Sequence, residues 1–378
     1  MMGSMAGRRL GKTLCIAAVS FLLGACGGTG NNEQKTYIYV ANSGIDTVET
    51  FAASDNGTVA SVDNVATGGN PMVVAGDTEL VFVANAIASS ISRFSVDTDG
   101  KLSSLGADTL TGRDPEGMIL HPTGKFLYVA AAFQSSDGNR VYQYKVNRAP
   151  ASLTYIDNVQ ADGLDPNIPV GMAFDPAGKY LYVTNHAGGT ISGYAIDNGT
   201  GALSPLSAGG SPFPVAASFP QPEGIVSVKK TGGSFLYVAD ESFDALIHRY
   251  RISPDNGALT YVDNVTMAIG PPDMLAVNPA GTLLFALSEP SGSVSVYSIA
   301  DSGSLALAQQ VRGNNLLNPE SAMTDPDGKF LYVADSKVEA TQRIPGEVFV
   351  YAIDGSQLSF VKSFPTGDGP FSLVVIRK

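Results

Sequence analysis

The chain is 378 residues long and 44% apolar, with 23 basic against 35 acidic side chains and a formal net charge of −12. So acidic a balance argues against nucleic acid as a partner, because phosphate binding needs clustered cations. Two cysteines and no tryptophan exclude a disulfide framework and a Trp-Asp repeat signature.

The N-terminus reads as an export signal. Arg8, Arg9 and Lys12 precede an apolar run from Leu14 to Leu23, too short to span a bilayer and closed by small residues. It ends on Leu23-Gly24-Ala25-Cys26, which is similar to a bacterial lipobox and makes Cys26 the expected lipidation site. The expected organisation is a signal peptide over 1–25, a lipidated cysteine with a polar flexible tether over 26–36, and one folded body over 37–378. Gly27 after the cysteine resembles lipoproteins sent to an outer membrane, so the expected location is the cell envelope, on its periplasmic or surface face. The only expected membrane contact is through the lipid. Without residues 1–25, which hold three basic and no acidic side chains, the charge of −12 becomes −15. The exported body then has no thiol for a metal or a nucleophile.

From residue 37 onward one phrase recurs seven times. It is an apolar, β-rich run ending in a small or polar step: Tyr37–Asn42, Leu80–Asn85, Phe126–Ala130, Tyr180–Asn185, Phe235–Asp240, Leu283–Ser288 and Phe330–Asp335. The aromatic anchors at 39, 82, 128, 182, 237, 285 and 332 are spaced by 43, 46, 54, 55, 48 and 47 residues, the size of a propeller blade. Each repeat reads as four strands. The first opens on a proline, as in Pro115–Leu120. A turn such as Asp175-Pro176-Ala177-Gly178 follows, with proline presetting φ and glycine closing it. The aromatic phrase is the second strand, runs such as Val141–Val146 and Val348–Ile353 form the third, and short runs such as Leu259–Val262 form the fourth. The N-terminal repeat lacks a first strand, while Pro370–Ile376 is left without partners at the other end. The expected fold is therefore an all-β, seven-bladed propeller of four-stranded blades, with the C-terminal strand closing the first blade and removing open edges.

These phrases, with the preceding Pro-x-Gly turn, resemble the YVTN-repeat and 6-phosphogluconolactonase-like propellers over residues 36–378. The resemblance implies lactone hydrolysis, or a related lactonising chemistry, in a central funnel. Members resembling working lactonases tend to carry histidine after the proline that opens an inner strand. Here those pairs are Pro71-Met72, Pro115-Glu116, Pro169-Val170, Pro222-Glu223, Pro272-Asp273, Pro319-Glu320 and Pro370-Phe371, none with histidine.

Four of the seven carry a carboxylate instead. Glu116, Glu223, Asp273 and Glu320 are expected to form an incomplete acidic ring at one mouth, joined by Asp114, Asp240, Glu241, Asp244, Glu289 and Asp335. Oxygen ligands from several strands suit a hard cation such as Ca²⁺, for which Glu116, Glu223, Asp240, Asp273 and Glu320 are the candidate ligands. Crowded carboxylates also raise one another's proton affinity, which makes Glu116 and Glu223 candidate general bases. A solvated acidic rim is the third reading. Arg113, Asp273, Glu320 and His186 are candidate ligand-binding groups. Lys337 and Arg343 are expected mainly to neutralise the rim. His121 reads as a turn residue on the opposite face and His248 as a blade-surface residue. The stretch Gly209 to Pro220, with Phe213 and Phe219, is expected to overhang the mouth as an apolar lip. Three functions stay open: binding of a small ligand, cation or partner protein at an acidic funnel; hydrolysis of sugar lactones; and a non-enzymatic envelope scaffold.

Overall fold

The computed structural model describes residues 34–132, 139–161, 168–207, 210–339, 342–343 and 345–378, with the side chains of 338–343 left aside. Cys26 and the signal lie outside the described residues.

Seven antiparallel sheets form the fold, each with four strands in meander order. In the third blade the order from the axis outward is Pro115–Leu120, Phe126–Ala132, Asn139–Arg148 and Ala151–Gln160. The second and fourth blades each add a short strand, Thr109–Leu110 and Phe213–Pro214, to their third strand. The first blade is built from both chain ends. Thr36–Asn42 pairs on one side with Thr47–Ala53 and on the other with Pro370–Arg377, so the last strand is the inner strand of the first blade.

Burial explains why the aromatic phrases are apolar at every position rather than alternating. Second strands such as Phe330–Asp335 are buried throughout, because each face of a blade meets a neighbouring blade. Outer strands such as Leu259–Thr266 reach solvent. Seven hydrophobic clusters result, each shared by two adjacent blades. The cluster joining Phe330, Tyr332 and Val350 of the last blade to Ile38, Val40, Leu373 and Val375 of the first closes the ring.

A recurrent clasp ties neighbouring blades. The hydroxyls of Tyr39, Tyr128, Tyr182 and Tyr237 donate to the carbonyls of Gly100, Gly201, Gly257 and Gly303 at 2.6–3.0 Å, each in the turn before the next blade's outer strand. The aromatic ring two residues earlier lies against the same glycine. A Cβ on Gly201 would come within 2.3 Å of Phe126, and one on Gly257 within 2.6 Å of Tyr180. These glycines adopt positive φ, so conformation and close approach both require the missing side chain. Phe82 and Phe285 replace tyrosine where the next blade turns through Arg148-Ala149-Pro150 or Gly355-Ser356.

The turns between inner and second strands gather on one face. Asp175 Oδ1 accepts the N–H groups of Lys179 and Tyr180, and Asn278 and Asp325 repeat the arrangement. His121 is a turn residue there, with Nδ1 2.7 Å from Thr123 Oγ1 and Nε2 2.9 Å from the Gly178 carbonyl of the next blade. The opposite face carries the starts of the inner strands, and it is the mouth.

Candidate functional site

Six of the seven inner strands enter the mouth on an irregularity, and only the sixth blade's Met274–Val277 pairs without one. Pro115 opposes Ala131 and Gly117 opposes Ala130, so Glu116 is an extra residue in the ladder. Met72, Glu320 and Phe371 occupy the same place, and the fourth and fifth blades are irregular just after Pro169 and Pro222. Such a bulge frees a side chain from the pleat and re-aims it. The strands also bond to one another around the axis. Thr184 Oγ1 donates to the Glu223 carbonyl at 2.7 Å, Gly224 N–H to the Asp273 carbonyl at 2.8 Å, and Leu373 N–H to Ser321 Oγ at 3.2 Å. A Cβ on Gly171 would lie 2.0 Å from the Glu223 carbonyl, so glycine is what allows the inner strands of the fourth and fifth blades to approach.

The mouth is lopsided. Met72 and Phe371 stand at the strand entries of the second and first blades, and Phe371 packs against the clusters of both the sixth–seventh and the second–third interfaces, which makes that side apolar. Glu223, Asp273 and Glu320 come from three consecutive blades and are all buried. Burial pushes the proton affinity of Glu223 well up, and the charges of Glu241, Asp273, Glu320 and Glu289 push it further. Asp273 is likewise raised, by burial first, against a partly offsetting hydrogen bond from the Glu289 N–H and with Glu241, Glu289 and Glu320 adding repulsion. Glu320 Oε1 accepts from Ser336 Oγ at 2.5 Å. Glu223 makes no side-chain hydrogen bond among the described residues, although it is only 3% exposed.

Glu116 stands apart from that trio. It is buried, its Oε2 has no hydrogen-bond partner among the described residues, and its affinity for a proton is raised by burial and then by Asp114. The expected ring is thus a cluster of three plus an isolated fourth. Arg113 is exposed at the entry to the same strand. His186 sits beside the trio, with Nε2 3.5 Å from Glu241 Oε2.

Other expected site groups do structural work. Asp240 Oδ1 accepts the N–H groups of Gln221 and Ser242, while Oδ2 meets His248 Nε2 at 3.2 Å. Burial raises its carboxyl, but those partners outweigh burial and hold it below the ordinary range. His248 is therefore fully buried against Asp240 rather than on a blade surface. Asp335 is filled by the N–H groups of Leu317, Asn318 and Lys337. Lys337 Nζ is bound to Glu347 at 2.6 Å; the Arg343 side chain lies outside the described residues. Phe213 is buried between the fourth and fifth blades, so of the expected lip's two phenylalanines Phe219 is the exposed one. Phe243, which the sequence reading passed over, is fully exposed nearby; an aromatic residue in the polar turn Glu241-Ser242-Phe243-Asp244 was the available signal.

Among the described residues no three His, Cys, Asp or Glu side chains converge as metal ligands, and both oxygens of Asp240 already meet protein hydrogen-bonding groups.

The family described as lactonase, 7-bladed beta-propeller, matches residues 31–116, 117–219 and 224–316. The chain belongs to that lactonase family. Among curated relatives, a 6-phosphogluconolactonase of Serratia proteamaculans is 22% identical over 91% of this chain and 100% of its own length. Among solved structures, a putative 6-phosphogluconolactonase of Bacteroides fragilis superposes with a TM-score of 0.72 at 19% identity, covering 92% of this chain and 99% of that one. The periplasmic gluconolactonase of Pseudomonas aeruginosa gives 0.73 at 18%, covering 90% and 98%. At these identities the superpositions establish the propeller fold. The mouth of this lactonase-family chain pairs a buried, mutually repelling acid trio with the apolar Met72 and Phe371.

Proposed function

We propose that this lactonase-family protein binds a small, uncharged, hydroxyl-bearing lactone at its acidic mouth and opens the ring with water. Glu223 carries the reading, as a buried carboxyl without a hydrogen bond among the described residues, surrounded by other acids. Burial and neighbouring charge raise the proton affinity of such carboxyls, which lets one member act as an acid beside another as a base. The ionised member takes a proton from water as the water oxygen adds to the lactone carbonyl. The ring C–O bond then breaks, and its oxygen receives a proton from a neighbouring neutral carboxyl, giving the open hydroxy acid. Glu223 is assigned the base and Asp273 or Glu320 the acid, while Glu116, Arg113 and His186 contact the ligand. A phosphorylated lactone fits poorly, because the site repels anions.

The test is hydrolysis of D-glucono-1,5-lactone above the spontaneous rate, with Glu223→Gln alongside. The substitution is expected to lower kcat roughly 100-fold, within the usual range for general bases. Full activity in the variant would remove Glu223 from the chemistry, and an inactive but lactone-binding wild type would reduce the reading to a binding protein.

The envelope location belongs to the same reading. Thr36 begins its strand opposite Arg377, on the face away from the mouth, so a chain anchored at Cys26 would hold the mouth outward from the membrane. Cys26→Ser is expected to move the protein from the membrane to the soluble fraction; a wild type already soluble would refute the anchor.

A further inference from the structure

Two phenylalanines on the mouth face are left in water, which costs burial that a large apolar side chain ordinarily gains. Phe219 is 82% exposed and Phe243 104%. Phe219 lies in the connection from the fourth to the fifth blade, three residues before Pro222. Phe243 lies between the second and third strands of the fifth blade, two residues after Glu241. The two loops are stitched together. Ser218 N–H donates to Asp244 Oδ2 at 3.1 Å, Gln221 N–H to Asp240 Oδ1 at 2.8 Å, and Glu241 N–H to the Gln221 carbonyl at 3.0 Å. A tight turn, closed by Ala245 N–H to the Ser242 carbonyl at 2.9 Å, carries Phe243. The backbone that presents the rings thus leads directly into Glu223 and Glu241. The remaining exposed aromatic side chains among the described residues, Tyr155, Tyr261 and Phe360, sit on outer strands.

We infer that Phe219 and Phe243 form an aromatic platform at the edge of the mouth, against which the ring of a neutral sugar lactone stacks while its hydroxyls reach the buried carboxyls. The inference rests on the lactone-binding reading and names the part of the ligand that reading leaves open. A sugar ring presents polarised C–H bonds on its faces and hydroxyls on its edges. The C–H face complements the electron-rich face of an aromatic ring, and the hydroxyls suit acceptors such as the unpartnered Glu223 carboxyl. An anionic ring would meet the same aromatic groups but be repelled by the acids beyond them. The platform therefore selects for a hydroxylated, uncharged ring.

Calorimetric titration of the full chain with D-galactono-1,4-lactone tests this, using wild type, Phe219→Ala/Phe243→Ala, Phe219→Tyr/Phe243→Tyr and Glu223→Gln. The alanine pair is expected to weaken binding about tenfold or more, the tyrosine pair to retain it, and both to unfold at the wild-type temperature because the rings are exposed. Wild-type affinity in the alanine pair would overturn the platform while leaving the acidic mouth in place. Equal losses in the alanine and tyrosine pairs would also overturn it, since the aromatic faces would not be what the ligand uses. Absence of binding by the wild type would overturn the lactone reading, and the platform with it.

Discussion

Glu223, Asp273 and Glu116 hold protons more tightly than carboxyls in water, chiefly because burial penalises the charged form and secondly because neighbouring acids repel it. Between the ordinary carboxylate range and their raised values the folded state binds more protons than the unfolded one, so stability increases as the pH falls through that window. The increase ends near the ordinary value. Asp77 works in the opposite sense. Burial raises its carboxyl, but Arg148 and the N–H groups of Glu79 and Leu80 hold it low; its contribution is present above the ordinary carboxylate value and is lost as the pH falls through the depressed one. From these groups stability is thus expected to peak near the ordinary carboxylate value. Glu223→Gln should raise the unfolding temperature at pH 7.5 by roughly 2–4 °C, the effect of about 1 kcal/mol in a large domain, and flatten the slope above the ordinary carboxylate range. Thermal scans from that range up to pH 7.5 check it, and an unchanged slope would mean that Glu223 is ionised in both states.

At the scale of the element, the clasp explains a pattern that composition alone leaves arbitrary. Tyrosine anchors precede blades whose outer turn offers a glycine carbonyl, as at Gly100, Gly201, Gly257 and Gly303, whereas Phe82 and Phe285 precede turns built differently. Tyr128→Phe should cost about 1 kcal/mol, the net worth of one buried hydrogen bond. Phe82→Tyr should also destabilise, by about 1–3 kcal/mol, because its hydroxyl would be buried opposite a turn with no glycine carbonyl in the matching place. Urea denaturation of both variants measures this. A neutral Tyr128→Phe would reduce the clasp to simple packing.

For the whole molecule, closure depends on the last eight residues of secondary structure. Pro370–Arg377 pairs with Thr36–Asn42, places Leu373 and Val375 in the last–first cluster and Val374 and Ile376 in the first–second cluster, and sends Arg377 to Asp325 and Asp327 of the last blade. Losing even two such buried aliphatics, at about 2–5 kcal/mol each when truncated to alanine, approaches the total stability of an ordinary protein, roughly 5–15 kcal/mol. Deletion of residues 370–378 is therefore expected to abolish the cooperative unfolding transition, and a truncated chain that melts like the intact one would show that the ring holds without its latch.

The repeat, its four-strand content and the closure of the ring were legible in the sequence, because alternation, proline–glycine turns and complementary chain ends are local properties that each copy states again. The carboxyl cluster was only half legible. Pro115-Glu116-Gly117 and Pro222-Glu223-Gly224 are the same tripeptide at the same strand entry, yet one glutamate meets only Asp114 while the other meets acids from the next two blades. His248, read as a surface residue, is buried because its strand turns that position toward Asp240. Proton affinity and burial are set by what neighbouring blades place within a few ångströms in a medium of low dielectric constant, and residues about fifty positions apart acquire that proximity only when the circle closes.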